Sequence, residues 1–70
     1  MTPVALIAGA GGAGAATAAE FARRGFHVVV LDTRLEAASA AVEPLRQAGL
    51  AAEAVSIDLL DVGAVTDSNA

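Results

Sequence analysis

The chain has no cysteine and no lysine, and its only cationic side chains besides one histidine are four arginines. Without cysteine there is no disulfide framework, so 70 residues must hold together by packing alone. A chain this short buries a modest fraction of its surface and is marginal as an independent domain. Four arginines against eight acidic residues leave a formal net charge of −4. Such a composition lacks the basic stripe on which nucleic acid docks, and it disfavours an anionic membrane surface. A membrane-length apolar run is missing too. Residues 4–19 hold one polar side chain, Thr17, but the stretch is too short to span a bilayer and carries four glycines. The start, Met1-Thr2-Pro3, offers no basic region for a secretory signal. The expectation is a cytoplasmic chain with neither nucleic acid nor membrane as partner.

What is present is an alternation of short apolar runs and helical stripes. Residues 4–8 form an apolar run that ends in glycines, as a strand buried in a parallel sheet does. Residues 13–24 read as a helix, with Ala15, Ala18, Phe21 and Ala22 on one face and Glu20, Arg23 and Arg24 elsewhere. Gly25 follows the last periodic residue, where a left-handed cap belongs. Residues 28–31 form a second strand, rich in β-branched side chains. Thr33 and Glu36 fit a capping box, with Thr33 as N-cap and Glu36 reaching back. Leu35, Ala38, Val42 and Leu45 then make an apolar stripe that Gly49 closes. Pro44 lies inside that stripe and predicts a kink or break, because it removes a hydrogen bond. Residues 54–57 read as a third strand, and 61–67 as the entry to a further helix. No repeat or second domain interrupts the pattern.

The segment with chemistry is Gly9-Ala10-Gly11-Gly12-Ala13-Gly14. Gly9, Gly11 and Gly14 match G-x-G-x-x-G, and the match follows a strand and opens a helix. Gly9 permits a tight turn, Gly11 lets a pyrophosphate approach the backbone, and Gly14 lets helix and strand pack closely. The N–H groups that open the helix, those of Gly12 and Ala13 among them, favour a diphosphate together with the helix dipole. The bland alternative is a tight strand–helix turn that binds nothing.

Asp32 lies 18 positions after Gly14, at the C-terminal end of the second strand. A carboxylate there accepts hydrogen bonds from adenosine ribose hydroxyls. Its charge would repel a 2′-phosphate, which argues for NAD over NADP. Arg34 argues the other way, since a nearby arginine can accommodate that phosphate. Thr33 belongs to the same turn. The plain alternative makes Asp32 a loop carboxylate that only helps begin the next helix. Together these features predict an α/β chain with a partial Rossmann fold: three parallel strands in the order 3-2-1, joined by two crossover helices.

The pattern ALIAGAGGAG…EFARRGFHVVVLDTRLEAA…VEPLRQAG…AVSIDLLD resembles the N-terminal, cofactor-binding half of the short-chain dehydrogenase/reductase family, over about residues 4 to 65. The resemblance implies that Asp58 is the acidic residue whose side chain contacts the adenine amino group, with Leu59 adding a backbone contact beside it. A bottom-up alternative makes Asp58 and Asp61 helix-entry caps. The chain departs from the family's commonest T-G-x-x-x-G-x-G branch: Ala8 stands where the Thr is expected, and the loop is one residue shorter. The resemblance also implies that the Asn-Asn-Ala-Gly segment, the catalytic Ser and the Tyr-x-x-x-Lys pair lie beyond Ala70, and the chain contains no Tyr and no Lys.

No residue here fills the acid role that hydride transfer requires. His27 starts the second strand, opposite the ligand end, and reads as an edge or core histidine. Ser39 and Ser56 lack triad partners, and no metal-ligand cluster is visible. The leading expectation is therefore the first, NAD-binding part of a longer dehydrogenase, holding the ADP half of the cofactor. A stand-alone non-catalytic dinucleotide-binding module and an interaction module are the alternatives. In the doubly wound fold the first strand is central, so its uncovered edge predicts an isolated chain that is poorly stable or self-associates.

Overall fold

The computed structural model describes residues 1–57. Their elements are β1 (Val4–Ala8), α1 (Gly12–Arg23), β2 (His27–Asp32), α2 (Leu35–Gln47) and β3 (Ala52–Ser56). The three strands form one sheet in the order β1-β2-β3, with β2 in the middle and both pairings parallel. This is the expected α/β partial Rossmann arrangement, the order 3-2-1 read from the other edge. Val4 lies opposite His27 and Ala8 opposite Leu31, while Val28 lies opposite Ala52 and Asp32 opposite Ser56.

β-branched residues dominate the central strand, and alternate ones face the helices. Val28 and Val30 are fully buried there, packed with Ala18 and Ala22 of α1 and with Ala38, Val42 and Leu45 of α2. Each buried valine contributes roughly 1.5–3 kcal/mol of apolar transfer. Ala5, Ile7 and Ala54 extend this layer on the outer strands. The alanines of α1 let its axis come close to the sheet, so the stripe predicted from Ala15, Ala18, Phe21 and Ala22 is the buried or half-buried face. Leu35, the first member of the second stripe, is instead 50% exposed at the start of α2.

Both helices stop by the same backbone device. Gly25 and Gly49 take φ of +92° and +81°, values that side chains disfavour. In α1 the Gly25 N–H donates to Ala22 O and the Phe26 N–H to Phe21 O, each at 3.1 Å. In α2 the Gly49 N–H donates to Arg46 O at 3.0 Å and the Leu50 N–H to Leu45 O at 2.9 Å. These paired bonds satisfy the last carbonyls of each helix. The Phe21 and Phe26 rings meet edge to face across the first cap, with centroids 4.9 Å apart.

Three expectations are corrected. Pro44 does not break α2, which continues to Gln47. The proline removes its own N–H bond only, and the bonds on its C-terminal side persist: its carbonyl accepts the Ala48 N–H at 3.1 Å. Thr33 is not the N-cap, and Glu36 does not reach back. Arg34 occupies the cap position without a side-chain cap bond, since a guanidinium has no acceptor, and the Asp32 carboxylate takes the Arg34 N–H at 3.0 Å. The third strand runs over Ala52–Ser56 rather than 54–57. Pairing with Val28 and Val29 recruits Ala52 and Glu53, which make no apolar strand run of their own.

His27 is half-exposed rather than a core residue, and its Nε2 lies 2.8 Å from Glu53 Oε1. This contact stitches β2 to β3 at the N-terminal end of the sheet. The face turned away from the helices carries Val4 and Leu6, which are 58% and 67% exposed. Val29, Leu31 and Val55 continue this surface, half-buried. No helix among the described residues is long and apolar enough to cross a membrane.

Candidate functional site

The C-terminal ends of the three strands converge on one concave surface. Ala8, Gly9, Leu31, Asp32, Thr33 and Ile57 line a cavity of about 260 Å³.

The glycine-rich turn bounds one side. Gly9 continues the β1–β2 ladder by donating its N–H to Leu31 O at 2.7 Å. Its φ of +94° then turns the chain sharply away from the sheet. Gly11 is the N-cap of α1, with extended backbone and no side-chain cap. No acidic residue lies in the first turn of the helix. The N–H groups that open α1 therefore meet no side-chain acceptor within that turn. The carbonyl of Gly11 accepts the Ala15 N–H at 2.9 Å and so starts the helical ladder. Thr17, the nearest hydroxyl in the helix, donates to Ala13 O at 2.9 Å and faces its own backbone.

The glycines have different reasons. A Cβ on Gly14 would run into the carbonyl group of Gly9 and would lie 3.7 Å from Ile7 Cγ2. A Cβ on Gly11 or Gly12 would meet nothing within 4 Å. Gly14 is thus required by the packing of turn on helix, whereas Gly11 and Gly12 border open space.

Asp32 bounds the other side. Its Oδ2 accepts the Ala10 N–H at 2.9 Å across 22 positions of chain. Its Oδ1 accepts the Arg34 N–H at 3.0 Å and the Thr33 hydroxyl at 3.5 Å. These donors, the Arg34 and then the Ala10 backbone N–H above all, hold the carboxyl below its ordinary pKa. Asp32 is consequently an anion throughout the neutral range. Close by, Ser56 donates its hydroxyl to Thr33 O at 3.5 Å, and the Ile57 N–H donates to Asp32 O at 3.0 Å. The end of β3 is thereby tied to the same turn.

Gly9, Gly11, Gly12, Ala13 and Gly14 and the segment Asp32-Thr33-Arg34 therefore meet at one end of the sheet. The Arg34 guanidinium, however, is directed to Glu36. Nε and Nη2 lie 3.2 and 3.1 Å from the same Glu36 oxygen. Asp58 and Leu59 lie outside the described residues, as does the helix entry over 61–67. The sequence reading missed Ala8, Leu31 and Ile57 as apolar walls and Ala10 as the partner of Asp32. The signal for the walls was available, because ligands of open α/β sheets lie beyond the C-terminal ends of the strands. The Ala10 contact had no sequence signal, since its acceptor lies on another strand end.

No curated protein matches the chain closely enough to count as a relative. The sequence model for short chain dehydrogenase matches residues 3–68. With the match spanning nearly all of the chain, and with a glycine turn and strand-end carboxylate arranged on a parallel sheet, this chain belongs to the short chain dehydrogenase family.

Proposed function

We propose that the chain is the NAD-binding portion of a short chain dehydrogenase, holding the ADP half of the cofactor. Members of the family bind NAD(P), and the residues at the strand ends fit that group. The observation that carries the reading is the pairing of an uncapped, side-chain-poor helix start with an ionised Asp32 across a single turn. The α1 N–H groups and the helix dipole receive the diphosphate. Gly11 and Gly12 leave open the space through which it approaches. Asp32, with Thr33 beside it, receives the ribose hydroxyls. Ala8, Leu31 and Ile57 offer apolar surface to the adenosine. Asp58 and Leu59 remain the proposed contacts to the adenine edge. The bound cofactor carries the hydride, and the residues of this chain hold and orient it.

NAD is favoured over NADP on two grounds. The Asp32 anion repels a 2′-phosphate, and the cation that would offset that repulsion, Arg34, holds Glu36 instead. Titration calorimetry on the chain with NAD, NADP and ADP-ribose tests the reading. Saturable one-to-one binding of NAD and ADP-ribose is expected, with NADP weaker by at least about tenfold, or ~1.4 kcal/mol. Absence of heat with all three ligands overturns it.

A second reading, an interaction module, has its own support in the exposure of Val4 and Leu6 on the helix-free face.

A further inference from the structure

Asp32 makes a contact that ribose recognition does not require. Its Oδ1 serves the local turn into α2, whereas its Oδ2 reaches across the cleft to Ala10. Ala10 is the tip of the glycine-rich turn. On one side Gly9 is anchored to Leu31 O, and on the other Gly11 O is anchored by the Ala15 N–H. Between these anchors stands Ala10 alone, and the whole segment Gly9–Gly14 has no side chain larger than a methyl group. It therefore cannot lock itself with its own side chains. The bond from the Ala10 N–H to an ionised carboxylate is the charge-assisted kind, shorter and stronger than a neutral one.

We infer that Asp32 is the positioning residue of the glycine-rich turn. It fixes the direction in which the N–H groups of Gly12, Ala13 and Gly14 face, and so supports diphosphate binding although its own charge repels a diphosphate. The inference rests on the dinucleotide-binding reading for its ligand but not for its geometry. It gives Asp32 two opposed effects on a ligand that has no ribose. If Asp32 served the ribose alone, neutralising it would strengthen binding of inorganic pyrophosphate by removing a nearby like charge. As the positioning residue, its neutralisation weakens that binding.

The test uses the full chain and two variants, Asp32→Asn and Asp32→Ala. The first readout is amide hydrogen exchange at Ala10, with the amides of Val28 and Val30 as reporters of the intact sheet. Slow Ala10 exchange is expected in the parent, faster exchange in Asp32→Asn, and the fastest in Asp32→Ala. The second readout is the affinity for inorganic pyrophosphate, expected to fall at least about threefold in both variants. Equal Ala10 exchange in parent and variants overturns the inference, as does a pyrophosphate affinity that stays level or rises. If the parent itself binds neither pyrophosphate nor NAD, the dinucleotide reading falls, and the Ala10 exchange rates still decide whether Asp32 positions the turn.

Discussion

Gly14, in the first turn of α1, lies so close to the Gly9 carbonyl group at the end of β1 that no side chain fits between them. Gly14→Ala must therefore push helix and turn apart, and both are backbone that cannot rotate away. Overpacking of this kind destabilises by about 1–3 kcal/mol. Gly11→Ala and Gly12→Ala place a methyl group in open space and should leave the thermal midpoint level or slightly raised. Gly11→Ala should still weaken NAD binding, because its methyl group occupies the diphosphate's approach. Thermal melts beside titration calorimetry check the set. Equal destabilisation by Gly14→Ala and Gly11→Ala would refute the division of roles.

Asp32 links the site to acid stability. Its pKa is lowered by the Arg34 and Ala10 N–H groups. The stabilisation is fully present above the ordinary carboxylate pKa of the unfolded chain. It declines as pH falls and is lost on passing through the lower folded value. Asp32→Asn should therefore be less stable than the parent at neutral pH, with the gap closing as the solution is acidified. Denaturation midpoints of both proteins across a pH series measure this, and a gap independent of pH would count against it.

Glu36 is expected to guard cofactor choice indirectly. It holds the Arg34 guanidinium through two contacts to one oxygen. Both side chains are 72% exposed, so the pair itself contributes little stability. Glu36→Gln should leave the melting point nearly unchanged and tighten NADP binding by about two- to fivefold through the released guanidinium. The double variant Glu36→Gln with Arg34→Gln should lose that gain. Dissociation constants for NAD and NADP decide, and an unaltered NADP constant in the single variant would remove Arg34 from the argument.

Pro44 is an exposed proline inside α2. Alanine restores the missing N–H and is the stronger helix former by up to ~3 kcal/mol in a helix interior. Against that, the unfolded chain gains freedom worth roughly 0.4–1 kcal/mol. Pro44→Ala should stabilise the chain by about 1–2 kcal/mol, and urea denaturation would reveal it. A net loss of stability would mean that the proline has a role the helix alone does not show.

The helix-free face predicts association. Leu6 is 67% exposed on the outer strand of the sheet. In a parallel ladder alternate residues of an edge strand turn their backbone groups outward, leaving them open to another strand. Residues 1–70 prepared by themselves should sediment above monomer mass, and Leu6→Glu should shift them toward monomer. A monomeric parent with a cooperative melt above about 60 °C would contradict both parts.

Much of this molecule was legible in the sequence. The glycine caps of both helices, the tight turn at Gly9 and the close approach at Gly14 follow from backbone sterics, which act over a few neighbouring residues. The strand order follows from the handedness of βαβ connections, and the buried faces of both helices, Leu35 apart, from their apolar spacing. The errors have a common physical origin. Thr33 and Glu36 satisfied a local capping pattern, but the Thr33 hydroxyl is directed to Asp32, and Arg34 drew Glu36 away. Ala52 and Glu53 entered β3 because β2 offered them ladder bonds, not because of their own propensity.

The sequence by itself determined the α/β alternation, the glycine turn, the carboxylate at the end of β2 and the family resemblance, since each is written in residue type and short-range spacing. Only the tertiary structure decided that the Asp32 carboxylate holds Ala10, that Arg34 is turned toward Glu36, and that His27 pairs with Glu53 at the far end of the sheet. The Ala10 and Glu53 contacts join residues 22 and 26 positions apart, and the parallel register sets them once the chain has packed. The turn of Arg34 spans only two positions, but two partners were open to its side chain, and the packed turn selected one.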